Sequence, residues 1–105
     1  MRPTRIQVRL DAIKDNYRLA CQKSPRAKTM AVIKANAYGH GLLPVAHALE
    51  SLVPAFAVAS MDEAVQLRDG GIKAPVAVLQ GINDASDINE AAERDFWLVM
   101  HETWQ

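Results

Sequence analysis

Read for its apolar and polar positions, the chain falls into a regular alternation. Residues 6–10, IQVRL, put Ile6, Val8 and Leu10 on one side and Gln7 and Arg9 on the other, the period of a half-buried strand. Asp11 is placed to cap a helix in which Leu10, Ile13, Tyr17 and Ala20 recur at helical spacing until Ser24-Pro25 stops it. Short runs that are apolar on both faces then alternate with amphipathic segments. TMAVIKA (29–35), AFAVAS (55–60), PVAVLQG (75–81) and FWLVMH (96–101) read as strands. LLPVAHALESL (42–52) reads as a helix between the first two. Ser60-Met61-Asp62-Glu63 has capping-box spacing and opens another, with Ala64, Val65 and Leu67 inward and Gly70-Gly71 closing it. A last helix starts near Asp84 and carries Ile88, Ala91 and Ala92.

Strands apolar on both faces, interleaved with amphipathic helices, predict an α/β fold built from βαβ units around a parallel sheet. The rhythm fits an open doubly wound sheet or a (β/α)8 barrel of TIM type equally well. A complete barrel needs about 250 residues, so four strands reach about half-way. The sequence stops just after the fourth, which predicts a truncated chain. Half a barrel leaves two sheet edges and an apolar interior face uncovered, so the free chain is expected to associate or aggregate.

Composition narrows the function classes. Half of the 105 residues are hydrophobic, and 12 basic side chains balance 12 acidic ones. No basic excess is available for nucleic acid or an anionic membrane surface. The single cysteine, Cys21, lies beside the apolar stripe of the first helix and cannot form an internal disulfide, which suits a reducing compartment. The charged N-terminus lacks an apolar leader segment, and no window has membrane-spanning length, so the expected location is the cytoplasm. No His, Cys, Asp and Glu set has metal-ligand spacing.

The chemistry concentrates in AVIKANAYGHG (31–41). Alternation along the strand puts Met30, Val32 and Lys34 on one face, with Lys34 at its C-terminal end, where α/β folds gather their functional groups. An ammonium there either snorkels into solvent or is kept dry and deprotonated as an imine-forming nucleophile. The following loop favours the second role. Gly39 and Gly41 permit positive φ, the helix from Leu42 aims free N–H groups at the strand end, and Tyr38 supplies a phenol. Asn36 reads as a loop-ordering residue, His40 as a capping or solvated group, and His47 as a surface one. His101 is given no role. Tyr17 lies on the core stripe of its helix, and Asp62, Glu63, Glu90 and Glu93 read as helix charges.

The run Lys34-Ala35-Asn36-Ala37-Tyr38-Gly39-His40-Gly41 resembles the pyridoxal-phosphate attachment motif of the alanine racemases. LDAIKDNYRLA (10–20) is similar to that family's first helix, and residues 55–81 to its second and third repeats. The resemblance implies a fold-type III enzyme: a (β/α)8 barrel, of which residues 1–105 are the N-terminal part, then a β-rich C-terminal domain absent from this sequence. It implies pyridoxal 5'-phosphate as cofactor, alanine as the small-molecule substrate, D-alanine supply for cell-wall synthesis, and a homodimer in the full-length family. Lys34 would hold the cofactor and act as one acid/base, Tyr38 would touch its phosphate, and Leu79 would line its ring. The opposite base, in the family, is a tyrosine of the partner's C-terminal domain, and the arginine at the pyridine nitrogen and most phosphate ligands come from later strands. The first strand would pair with the absent domain. The competing expectation is a non-catalytic chain that binds the cofactor weakly or only self-associates.

Overall fold

A computed structural model describes residues 4–105. The elements in order are α1 (Leu10–Lys23), β1 (Ala31–Val32), α2 (Lys34–Tyr38), α3 (Leu42–Leu49), β2 (Phe56–Val58), α4 (Met61–Asp69), β3 (Val76–Val78), α5 (Ser86–Arg94) and β4 (Phe96–Leu98). The strands pair in parallel in the order β1-β2-β3-β4. An open doubly wound sheet reverses its strand order at a switch point, and this one does not. Consecutive order with a helix between successive strands is the winding of a barrel segment.

Register separates the two faces of the sheet. Ala31, Phe56, Val76 and Phe96 stand side by side, and Val32, Ala57, Ala77 and Trp97 form the next row. The first row, with Ile33, Val58 and Val78, belongs to the core and meets Val45, Ala46 and Leu49 of α3, Leu67 of α4 and Ala91 of α5. The second row faces away from it. There Val32 is 41% exposed and Trp97 49%, while the small Ala57 and Ala77 lie buried between them.

Two side chains tie the helices to this frame. Tyr17 of α1 donates its hydroxyl to the Thr29 carbonyl at 2.7 Å and approaches the Leu52 carbonyl at 3.3 Å. The Arg68 guanidinium donates to the carbonyls of Arg94, Ile72, Ala74 and Asp95, and lies 5.4 Å from the centre of the Phe96 ring. One arginine thus joins α4 to the segments that lead into β3 and β4.

Several elements differ from the sequence reading. Residues 6–10 form no strand: Ile6 is 84% exposed, and α1 starts at Leu10 with Arg9 in the cap position and Asp11 inside the first turn. A strand requires a neighbour to complete its ladder, and alternation alone does not supply one. The segment 29–35 is a strand only at its centre, extended by one bond from the Ile33 N–H to the Ala57 carbonyl, and Lys34 lies beyond it. The helix from Leu42 ends at Leu49 rather than reaching 52. In α5 only Ala91 is buried, and Ile88 is 46% exposed. The capping box at Ser60 and Glu63 is formed as the spacing predicts.

Candidate active site

The chain leaves β1 at Ile33 and winds into a left-handed turn. Ala35, Asn36 and Ala37 sit at φ/ψ of 54/50, 56/42 and 55/44, and Tyr38 at φ 55. For L-residues this hand costs about 1–2 kcal/mol each, and single residues rather than runs are the rule. α2 is therefore a left-handed helical turn, and something must hold it.

Most of the holding is local. The Ala37 N–H donates to the Ile33 carbonyl at 2.9 Å, and Gly39 at φ 89 donates back to the carbonyls of Ala35 and Asn36. The N–H groups of His40 and Gly41 donate to the carbonyls of Ala37 and Asn36. The Asn36 side-chain oxygen accepts from the Leu42 N–H at 2.8 Å and so caps α3, the ordering role read from the sequence. The His40 ring places Nδ1 2.9 Å from the Ala37 carbonyl, a loop-bracing contact.

These bonds correct the expectation of free donors. The N–H groups of Gly39, His40 and Gly41 all point inward. In the first turn of α3, Leu42's donor is taken by Asn36 and Val45's by the Gly41 carbonyl, Pro44 has none, and the Leu43 N–H alone keeps the role expected of free donors. The glycine turn closes on itself rather than opening as an anion cradle.

One long-range contact completes the turn, and the sequence reading missed it. The Glu63 carboxylate, at the start of α4, accepts from the N–H groups of Ala59 at 2.9 Å and Ser60 at 3.3 Å through one oxygen. Its other oxygen accepts from the Ala35 N–H at 2.7 Å. The capping-box spacing locates Glu63 but gives no sign that its second oxygen crosses to the residue after Lys34.

Two of the named residues stand at the C-terminal ends of strands. Lys34 follows β1 and Leu79 follows β3, both half-buried. Leu79's N–H bonds to the Val58 carbonyl at 2.9 Å, and its carbonyl lies 2.7 Å from Nε2 of His101. The lysine is thus only partly withdrawn from water by this chain, short of the dry setting its strand position suggested. Tyr38, 61% exposed, borders a mainly apolar cleft of about 290 Å3 whose other walls include Tyr17, Val32, His40 and Val45. Lys34 does not line that cleft. The described residues contain no cluster that could hold a metal ion.

Residues 8–105 match the family described as alanine racemase, N-terminal domain. The chain belongs to this family. It is 50% identical over its whole length to the alanine racemase of Pseudomonas taetrolens, covering 29% of that protein. Among solved structures, the biosynthetic alanine racemase from Pseudomonas aeruginosa superposes with a TM-score of 0.88 at 39% identity, over 93% of this chain and 27% of that one. The alanine racemase from Bartonella henselae, solved with covalently bound pyridoxal phosphate, superposes with a TM-score of 0.72 at 31% identity, over 82% and 26%. The chain thus spans under a third of the length of these alanine racemases and matches the N-terminal, barrel-forming part.

Proposed function

We propose that this chain carries the cofactor-attachment half of an alanine racemase site, with Lys34 as the residue that holds pyridoxal 5'-phosphate. The observation that carries the reading is the placement of Lys34. It is a half-buried residue between the end of β1 and a left-handed turn whose conformation is fixed on both sides. Family membership supports the chemistry, since a structural relative holds this cofactor covalently.

The residues present fit attachment. Lys34 would bind the cofactor through its amine, the Tyr38 phenol would hydrogen-bond its phosphate, and Leu79 would pack against its ring. The inward N–H groups of the glycine turn leave the remaining phosphate oxygens to donors outside this turn. Once bound, the cofactor supplies the electron sink that makes the Cα proton of alanine removable. Lys34 would then take and return that proton on one face of Cα, as a general base and acid.

Inversion also needs a proton-transfer group on the opposite face, and Tyr17 is not that group. It belongs to α1, packs against the core and donates to the carbonyls of Thr29 and Leu52. The second reading, a chain that binds the cofactor without turnover and associates through its uncovered sheet face, is favoured by the exposure of Val32 and Trp97. Incubation with pyridoxal phosphate, borohydride trapping and peptide mass analysis test both. A label on Lys34 with D-alanine formation supports the full reaction, and a label without turnover supports the binder. Labelling spread over other lysines overturns the assignment.

A further inference from the structure

We propose that Glu63 is a positioning residue for Lys34, holding the left-handed turn by the N–H that immediately follows the lysine. The proposal rests on the reading of Lys34 given above, although its structural half can be tested without any cofactor. Glu63 stands on a different element from the turn, 28 residues further along the chain from Ala35. Its backbone is held as the third residue of α4, a helix anchored by buried Met61, Ala64 and Leu67, and its N–H also donates to the Ser60 hydroxyl at 3.4 Å. One carboxylate oxygen is occupied by the N–H groups of Ala59 and Ser60, at the end of β2. The other receives the Ala35 N–H at 2.7 Å.

Only a planar, two-oxygen acceptor of this length performs both tasks at once. The ordinary capping box uses the glutamate to satisfy the helix N-terminus. Here the same group also sews the end of β1 to the end of β2, one residue past the candidate nucleophile. The Ala35 N–H direction is set by the peptide plane shared with Lys34, so fixing it fixes ψ of Lys34 and the course of its Cα–Cβ bond. The local bonds of the turn hold that plane only from within α2, whereas the Glu63 bond ties it to the ends of β2 and α4.

The test uses the full chain and four variants: Glu63→Ala, Glu63→Gln, Ser60→Ala and Lys34→Ala. Three measurements are made: amide exchange at Ala35, side-chain scalar couplings of Lys34, and the rate at which Lys34 captures pyridoxal phosphate. Glu63→Ala should speed exchange at Ala35 roughly tenfold or more, average the Lys34 couplings and slow capture. Glu63→Gln, which retains one acceptor oxygen, should restore part of each. Ser60→Ala removes the cap hydroxyl but leaves the carboxylate, so it should lower the melting temperature without altering the three site measurements. Equal exchange at Ala35 in Glu63→Ala and Ser60→Ala, or unchanged Lys34 couplings, overturns the proposal. Should Glu63→Ala not fold, the contrast between Glu63→Gln and Ser60→Ala decides the same point. Absence of capture by the unmodified chain would overturn the cofactor reading, while exchange and couplings still decide the role of Glu63.

Discussion

Replacing Ala35 by glycine should stabilise the protein, the reverse of what the substitution does in an ordinary helix. Ala35 sits at φ 54 and ψ 50, where its methyl crowds the following carbonyl at about 1–2 kcal/mol. Glycine removes that strain but adds about 0.5–1 kcal/mol of unfolded-state entropy. Ala35 is exposed, so no core contact is lost, and its N–H remains free to bond Glu63. The net gain is about 0.5–1 kcal/mol, or a rise of roughly 2–6 °C in the melting temperature of a domain this size. The neighbours provide internal controls. Ala37 has the same strain but is 5% exposed, so losing its methyl costs about 0.8 kcal/mol and Ala37→Gly should be nearly neutral. Asn36→Gly relieves the same backbone hand but forfeits the hydrogen bond to the Leu42 N–H, worth about 1 kcal/mol, and so should rank below Ala35→Gly. Calorimetry or circular dichroism melts of the three variants give the ranking. A fall in melting temperature for Ala35→Gly, like that of a right-handed helix position, would refute a left-handed turn in solution.

Three other outcomes follow from the packing. Burial, with the Cys21 thiol beside it, pushes the Tyr17 phenol from 10.0 up to about 12. The protonated form is favoured in the folded state, so its contribution is complete below pH 10 and is lost as pH rises from about 10 to 12; urea titrations across that window should show the loss, and Tyr17→Phe should flatten it. Arg68→Lys cannot reproduce a fork that reaches the carbonyls of Arg94, Ile72 and Ala74, and should destabilise by about 1.5–3 kcal/mol in denaturant melts. A cost under about 0.5 kcal/mol would show that those bonds are replaced by water. The exposed Val32 and Trp97 predict concentration-dependent association in sedimentation velocity, and a monomer at all concentrations would count against an adhesive sheet face.

How far the sequence reading reached depends on the range of each interaction. Residues 55–81 were legible because their signals are local: a buried strand, a capping box, a glycine pair and a second buried strand. Ser60 and Glu63 form the predicted cap because the partners lie three residues apart. Residues 6–10 show the same alternation as a true strand yet remain unpaired, because a strand exists only with a neighbour. Lys34 was placed at the right end of the right strand but on the wrong side of its boundary. The turn that claims it is left-handed, a conformation its alanines do not announce.

The sequence by itself determined the alternation of β1 to β4 with α3, α4 and α5, the inward face of α4, and the presence of a lysine and a phenol just after β1. Those features depend on side-chain period and on contacts within a few residues. The tertiary structure alone decided that the sheet is wound in consecutive order and that Glu63 reaches Ala35. Each requires knowing where a distant backbone amide points, and that direction is set only when separate segments pack together.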